Sequence, residues 1–457
     1  MKPLEKFFRI ALVIPVLWLG MAPVQALTPA GDTLKMPAIS SSGYLSLEQA
    51  RTLAREHNPE LKMARLDQEI SQADYRQTQA VFLPKIGVSY TALLTDNPLN
   101  AFGFKLQQQS ISPADFDPAA LNHPSATRDF SALAEIQQPL FHPDLYYQRK
   151  GARAMTEMYA FQRERSEQWV DFQVVQTYLQ IQWSYRNREV LERALERARQ
   201  MLRVAQNFLA QGLIQKSDEL NVQVHVATLE SHLSQAASAV ENTSGALALL
   251  MGRAPEVFRV DSLVLDHTLA ADIPAQVPAS RADFLALDKA LDASASMLRS
   301  ARMNRLPKLS AFGNYQWNDR DFGGLDAESY LVGVRMSWDL FSGTRTRNDI
   351  ASKQLQYRKL QEKKDLQLSQ ARLDLDKARR DLRDARLDVH RQELAVQQSS
   401  EALRILENRH REGLVSTNDL LTAQNQWSQQ QLQLARSVFA CNVQAAYIEF
   451  VTSTSHP

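Results

Sequence analysis

Four short stretches of the chain alternate apolar and polar residues with period two. Ile86, Val88 and Tyr90 fall on one side of an extended backbone, with Lys85, Gly87 and Ser89 on the other, and Phe130, Ala132, Ala134 and Ile136 alternate with Ser131, Glu135 and Gln137. The same holds for Leu309, Ala311, Tyr315 and Trp317 against Ser310, Asn314 and Gln316, and for Tyr330, Val332, Val334, Met336 and Trp338 against Gly333, Arg335, Ser337 and Asp339. This pattern predicts four half-buried strands, of a length that also suits a membrane barrel.

Elsewhere the period is helical. Residues 144–209 contain no proline and one glycine, Gly151, while residues 344–411 contain neither, so each predicts a helix roughly 100 Å long. In the second, Leu368, Leu375, Leu382, Val389, Val396 and Leu403 recur every seven residues, followed at three positions by Ala371, Ala378, Ala385, Ser399 and Leu406. That is a heptad seam and predicts left-handed supercoiling. Leu366, Leu373, Leu387 and Leu394 sit two positions earlier, about 160° away around the helix, so this helix is expected to have neighbours on two sides. Val174, Ile181, Leu195, Leu202 and Leu209 repeat the spacing in the first long helix, interrupted by Arg188. Ser46-Leu47-Glu48-Gln49 and Asn58-Pro59 are helix-start signals.

The chain also repeats itself. Asn58-Pro59-Glu60-Leu61 through Phe82-Leu83-Pro84-Lys85-Ile86 parallels Arg281-Ala282-Asp283-Phe284 through Arg305-Leu306-Pro307-Lys308-Leu309 at a constant offset of 223 residues. Further on, Pro139-Leu140-Phe141 matches Asp339-Leu340-Phe341, and Gln211-Gly212-Leu213 matches Glu412-Gly413-Leu414, at offsets of 200 and 201. The difference is an extra loop in the first half, expected over residues 91–130, where the second half has only residues 318–329. The expected organisation is a signal segment 1–26, a helical segment 27–81, a strand pair 82–141, a long helical hairpin 142–251, a linker with a helix 252–305, a second strand pair 306–341, a second hairpin 342–448 and a tail 449–457.

Charge and composition narrow the function. With 52 Lys and Arg against 51 Asp and Glu, the net charge of +1 gives no basis for nucleic-acid binding. A single cysteine, Cys441, excludes an intrachain disulfide and a cysteine zinc cage. Lys2, Lys6 and Arg9 precede an apolar run from Ile10 to Ala22 and small residues up to Ala26, which reads as a cleaved secretory signal. No later segment approaches 18 consecutive apolar residues, so entry into a membrane would have to be as strands. Four strands are too few to close a barrel, for which about eight is the minimum, so the chain is expected to oligomerise. Three copies would supply twelve strands, enough to leave a passage.

These features resemble the outer membrane efflux protein (TolC-like) family over nearly the whole mature chain. The resemblance is carried by Leu45-Ser46-Leu47-Glu48-Gln49-Ala50, Asn58-Pro59-Glu60-Leu61, the paired Leu-Pro-Lys strand starts at 83–85 and 306–308, and the turns Gly212-Leu213…Ser217-Asp218 and Gly413-Leu414…Asn418-Asp419. It implies a mainly α fold with a membrane β-barrel portion, a TolC-like trimer in which each chain carries two repeats of two strands and a long antiparallel helical hairpin. It further implies an outer membrane exit duct for efflux or type I secretion, partnered by a periplasmic adaptor and an inner membrane transporter, with the helices in the periplasm. No enzymatic activity and no cofactor are implied, and the substrate is left open.

The site residues follow from the same resemblance. Gly212 and Gly413 end the first arm of each hairpin, Ser217 or Asp218 and Thr417 or Asn418 can cap the returning helices, and Leu213 and Leu414 either close the turns locally or meet the adaptor. Asp419 occupies the place of a lumenal acid, and Thr422 replaces a second one. His410 and Asp218 stand where the family's closing contact lies. They are either a charge-assisted pair formed when His410 is protonated, or two solvated residues. His225 and His232, seven apart, read as surface histidines rather than metal ligands, and the mixed run from Asp376 to Arg386 reads as a solvated helix face. No G-x-G-x-x-G, Walker A, H-E-x-x-H or G-x-S-x-G motif is present. A periplasmic coiled-coil adaptor or a structural surface protein are the alternatives. An adaptor carries one hairpin where this chain has two.

Overall fold

The computed structural model describes residues 44–266 and 274–455, so the expected signal segment lies outside the described residues. In chain order the elements are α1 (Leu47–His57), α2 (Pro59–Gln77), β1 (Lys85–Thr95), α3 (Pro98–Gln107), α4 (Pro118–Asn122), β2 (Thr127–Phe141), α5 (Pro143–Ala210) and α6 (Lys216–Leu250). The second half follows with α7 (Ala282–Met303), β3 (Lys308–Asp319), β4 (Ala327–Ser337), α8 (Arg345–Arg411) and α9 (Thr417–Thr452). The mainly α class with a small sheet and two long helical hairpins is therefore the observed one. Among the described residues no helix is long and apolar enough to cross a membrane.

The four strands form one antiparallel sheet in the order β1-β2-β3-β4. Its register places Ile86, Ile136, Gly313 and Val332 in one row and Val88, Ala134, Tyr315 and Tyr330 in the next, so one face is apolar across all four strands. That face is bare: Val88 and Tyr330 are each 78% exposed. The opposite face carries Ser89, Glu135, Asn314, Gln316 and Asn318. β1 and β4 each pair on one side only, leaving two open edges.

The loop expected over 91–130 is shorter and more ordered than its composition suggests. β1 continues to Thr95 because Thr91 to Thr95 stay in register with Ser131 to Thr127. The Asn, Ser, Asp and Pro residues that look like loop are helix starts: Asn97-Pro98, Ser112-Pro113 and Asp117-Pro118 each open a helical turn. The segment folds back on the polar face of the sheet. Gln108 donates to the Asp129 carboxylate at 3.0 Å and to the Arg128 carbonyl at 2.7 Å, and Asn318 donates to Asp129 at 3.1 Å. Asp129 and Asn318 are buried by this contact.

The helices form a layer in which α5 packs on α2, α6, α7 and α9, and α8 packs on α7 and α9. Leu375, Ala378, Leu382 and Val389 of the heptad seam meet Cys441, Ala445, Ile448 and Val451 of α9. Leu191, Leu195 and Ala198 of α5 meet Val226, Leu229 and Ala236 of α6. At Gly151 α5 and α7 approach closely, since a Cβ there would stand 2.9 Å from Met297 Cε. Among the described residues the second leucine series on α8 is left largely uncovered: Leu366, Leu373, Leu387 and Leu394 are 67, 58, 64 and 46% exposed. At the other margin of the layer, Met63, Leu66 and Ile70 of α2 are equally bare.

Two end-to-end joints tie the hairpins to the helices beside the sheet. Asn58 caps α2, accepting from the Glu60 and Leu61 amides, and donates through Nδ2 to the Leu250 carbonyl at the end of α6 at 2.8 Å. Arg281, at the start of α7, donates to the Val451 carbonyl near the end of α9 at 3.3 Å. Gly252 makes the first joint possible: its φ is 65° and a Cβ would lie 2.4 Å from the His57 carbonyl oxygen.

Candidate functional site: the hairpin tips

The two tips are built alike. At the end of α5, Gly212 takes φ 73° and its amide donates to the Leu209 carbonyl, while the Leu213 amide donates to the Phe208 carbonyl at 2.9 Å. At the end of α8, Gly413 takes φ 72°, its amide donates to the His410 carbonyl and the Leu414 amide to the Arg409 carbonyl, both at 3.0 Å. Both are Schellman turns, which need a left-handed residue at the position glycine occupies. Leu213 and Leu414 are 64 and 62% exposed, so neither closes its turn by burial.

The returning helices are capped earlier than the sequence suggests. Ahead of α6 the cap is Gln215, whose amide donates to the Asp218 carboxylate at 3.1 Å; ahead of α9 it is Ser416, which accepts from the Asp419 amide at 3.1 Å. Ser217 and Asn418 are exposed residues inside the first turns, and Asp218 and Asp419 are the acids that complete the caps. The reason is loop length: the chain leaves each Schellman turn extended within three residues, so Gln215 and Ser416, both with extended backbone, are already the residues at which the returning helices begin.

His410 and Asp218 are not paired within the chain. The His410 ring lies 6.3 Å from that of Phe208, and its Nε2 is 3.4 Å from Thr417 Oγ1, while Asp218 is engaged at its own cap. Burial against these neighbours pushes the His410 imidazole below its ordinary pKa, opposite to what an acid partner would do. Asp419 is exposed, beside Ser399, Leu406 and Thr422 in the groove between α8 and α9.

Two features escaped the sequence reading. Glu219 is a buried acid at the first tip, held by Lys216 and by Gln223, which donates at 2.5 Å; the Lys216-x-x-Glu219 spacing was its only sequence signal. The other is a cluster in which Met201, Ala205 and Val222 of the first hairpin meet Leu403, Leu420 and Leu421 of the second, fixing the two tips side by side. Among the described residues no group of three His, Cys, Asp or Glu side chains could hold a metal ion. His225 is half-buried and held below its ordinary pKa by that burial.

A model of the outer membrane efflux protein family matches residues 50–253 and 273–438. The chain belongs to that family. No curated protein matches it in sequence. Among solved structures, the CmeC outer membrane channel of Campylobacter jejuni superposes with a TM-score of 0.76 at 17% identity, covering 89% of this chain and 85% of its own. CusC gives 0.78 at 16% identity over 93% and 96%, and VceC of Vibrio cholerae 0.73 at 18% over 89% and 96%. As an outer membrane efflux protein, the chain is a channel component: its sheet belongs in the outer membrane and its helices in the periplasm. The reading as a periplasmic adaptor or a structural surface protein is set aside.

Proposed function

We propose that three copies of this chain close a twelve-stranded barrel continued by a helical tunnel, and that the tunnel docks by its tips to a periplasmic adaptor and an inner membrane pump. The observation that carries this is the pair of unsatisfied margins on one chain. β1 and β4 are open, the outer sheet face is apolar and bare, and the leucine stripe of α8 and the Met63, Leu66, Ile70 stripe of α2 lie at opposite ends of the helix layer. In lipid an open strand edge strands its backbone groups, and a ring of copies removes both edges at once. Three copies leave a passage where two would fill. Gly212, Leu213, Ser217 and Asp218 with Gly413, Leu414, Asn418 and Asp419 form the docking end, and Asp218, His410 and Asp419 surround its opening. Exposed leucines on rigid Schellman turns suit a coiled-coil partner. Native mass spectrometry in detergent combined with single-channel recording tests the reading: a trimer with stepwise conductance supports it, and a stable folded monomer that conducts nothing overturns it.

A further inference from the structure

Directly beneath the sheet, α5 and α7 open a groove lined by Tyr146, Lys150, Arg153, Glu157, Lys289 and Arg299. Arg149 also lines it and lies over the rings of Tyr75, at 5.1 Å, and Phe82, at 5.6 Å. Positive charge is in excess there. Glu157 takes Arg153 at 3.4 Å and Lys289 at 2.6 Å, and Asp292 is the other acid of the groove. Among the described residues neither Lys150 nor Arg299 has a carboxylate partner, and both are exposed.

Depth and orientation both point to lipid headgroups. The exposed apolar residues Phe82, Leu83, Leu140, Phe141, Trp338 and Phe341 mark the lower rim of the sheet. Lys150 follows Phe141 by nine residues, about 13 Å along the helix. Side chains on α5 lean toward its N-terminus, hence back toward the bilayer, and a lysine spans several ångströms more. The polar layer of a leaflet is about 5–8 Å thick, which brings the ammonium to its level.

The face is the outer one, an assignment that rests on the proposed tunnel. Lys150, Arg153 and Glu157 continue along α5 at three- and four-residue steps to Glu164, Gln168 and Asp171. Those residues hold a second layer: Ser455 donates to Glu164, Gln168 to the Thr454 carbonyl, and Arg51 and Arg55 of α1 pair with Asp171. A wall enclosing a passage has room for a second layer only on its outside.

We propose that this groove binds the phosphate of an anionic phospholipid headgroup in the periplasmic leaflet of the outer membrane, with Lys150 and Arg299 as the cations that meet it. The test uses the full-length protein in non-ionic detergent with three probes: dihexanoyl phosphatidylglycerol, dihexanoyl phosphatidylcholine and inorganic phosphate. Calorimetry and native mass spectrometry should show phosphatidylglycerol bound and retained, phosphatidylcholine bound more weakly, and inorganic phosphate unable to compete at equal concentration. Lys150→Gln with Arg299→Gln should weaken phosphatidylglycerol by about tenfold or more. Lys150→Arg with Arg299→Lys should bind like wild type, and the remote control Lys377→Gln with Arg380→Gln should leave binding unchanged. Equal affinity for the two lipids, or a Gln variant that binds like wild type, overturns the proposal; displacement by inorganic phosphate reassigns the site to a soluble anion and overturns it equally. The comparison of probes on wild-type protein needs no variant to fold. Conductance on the same preparation separates the two readings: conduction without lipid preference sinks the groove alone, and lipid preference without conduction sinks the channel alone.

Discussion

Asn58 and Arg281 occupy equivalent places in the two repeats and do the same work with different chemistry. Each begins a helix beside the sheet and each donates to the carbonyl that ends a hairpin, Leu250 in one case and Val451 in the other. Asn58 is a neutral cap. Arg281 is buried, grips Asp283 through two bonds of 2.7 Å and lies 4.2 Å from the Phe284 ring. Burial alone would push the Asp283 carboxyl up, but Arg281, Arg165 and Gln367 outweigh it and hold the group below its ordinary range. The same joint is built twice, and only one of the two carries a charge.

The two joints should therefore respond differently to truncation. Asn58→Ala loses a cap and a carbonyl partner and should cost about 1–2 kcal/mol. Arg281→Met strands the half-buried Asp283 carboxylate and the Val451 carbonyl and should cost more, about 2–3 kcal/mol. The Asp283 pair adds stability that is present above the ordinary carboxylate pKa of about 3.9 and is lost as pH falls through the depressed native value. Thermal unfolding by circular dichroism at pH 7 and pH 3 reads both effects. If Arg281→Met unfolds at the wild-type midpoint at pH 7, the asymmetry is absent.

Gly252→Ala should be more damaging than any other glycine-to-alanine change on the helices. It combines a left-handed φ with a 2.4 Å clash against backbone, neither of which a rotamer change relieves. A loss of about 2 kcal/mol or more is expected, whereas Gly245→Ala, with nothing nearer than 3.8 Å, should be neutral or mildly stabilising.

The exposed leucines of α8 should matter for assembly and not for the fold of one chain. Leu366→Asp with Leu373→Asp removes apolar area that the described residues leave mostly bare, at about 2 kcal/mol per leucine if a neighbour covers it. Native mass spectrometry should then show monomer in place of trimer with unchanged helical content. A trimer of unaltered stability would place the subunit contact elsewhere.

At the tips, Leu213→Asp with Leu414→Asp should leave trimer mass intact while weakening binding to the cognate adaptor by about thirtyfold, the scale of an interface hot spot. Unchanged efflux in cells would remove these leucines from docking.

The pH response of the tip follows from His410. Its imidazole is held below the ordinary value of about 6.5 by burial, so the neutral form fits the native packing best. The contact with Phe208 and Thr417 is complete above that value and weakens as pH falls. Conductance of wild type should shift between pH 7.5 and 5, and His410→Phe should be flat across the same range. A shift that survives in His410→Phe clears the histidine. This direction is the reverse of that expected from a His410–Asp218 pair.

The parts of the fold set by local periodicity were readable in the sequence. Heptads on α8 gave one buried and one exposed stripe because both follow from helix geometry, and the strand alternation gave the apolar face. The tip glycines Gly212 and Gly413 were legible because the turn requires a left-handed φ that glycine adopts without strain. What escaped depends on which side chain reaches a donor first in three dimensions. Gln215 and Ser416 took the caps ahead of the residues the motif favoured, and His410 found an aromatic ring in place of an acid. The order of the segment between β1 and β2 was hidden for a related reason, since prolines that break a helix inside it begin one at its edge.

In the proposed trimer that segment would narrow the outer end of the bore. A barrel of twelve strands has a fixed circumference, but each chain lays α3 against the polar side of its own sheet and pins it through Gln108 to Asp129 and Asn318. In the proposed trimer three such straps would converge from the rim, and side chains on a connecting segment would then set the aperture together with strand number. Relatives that share the proposed barrel would then differ in aperture through about thirty residues of connecting segment, with no change in strand number.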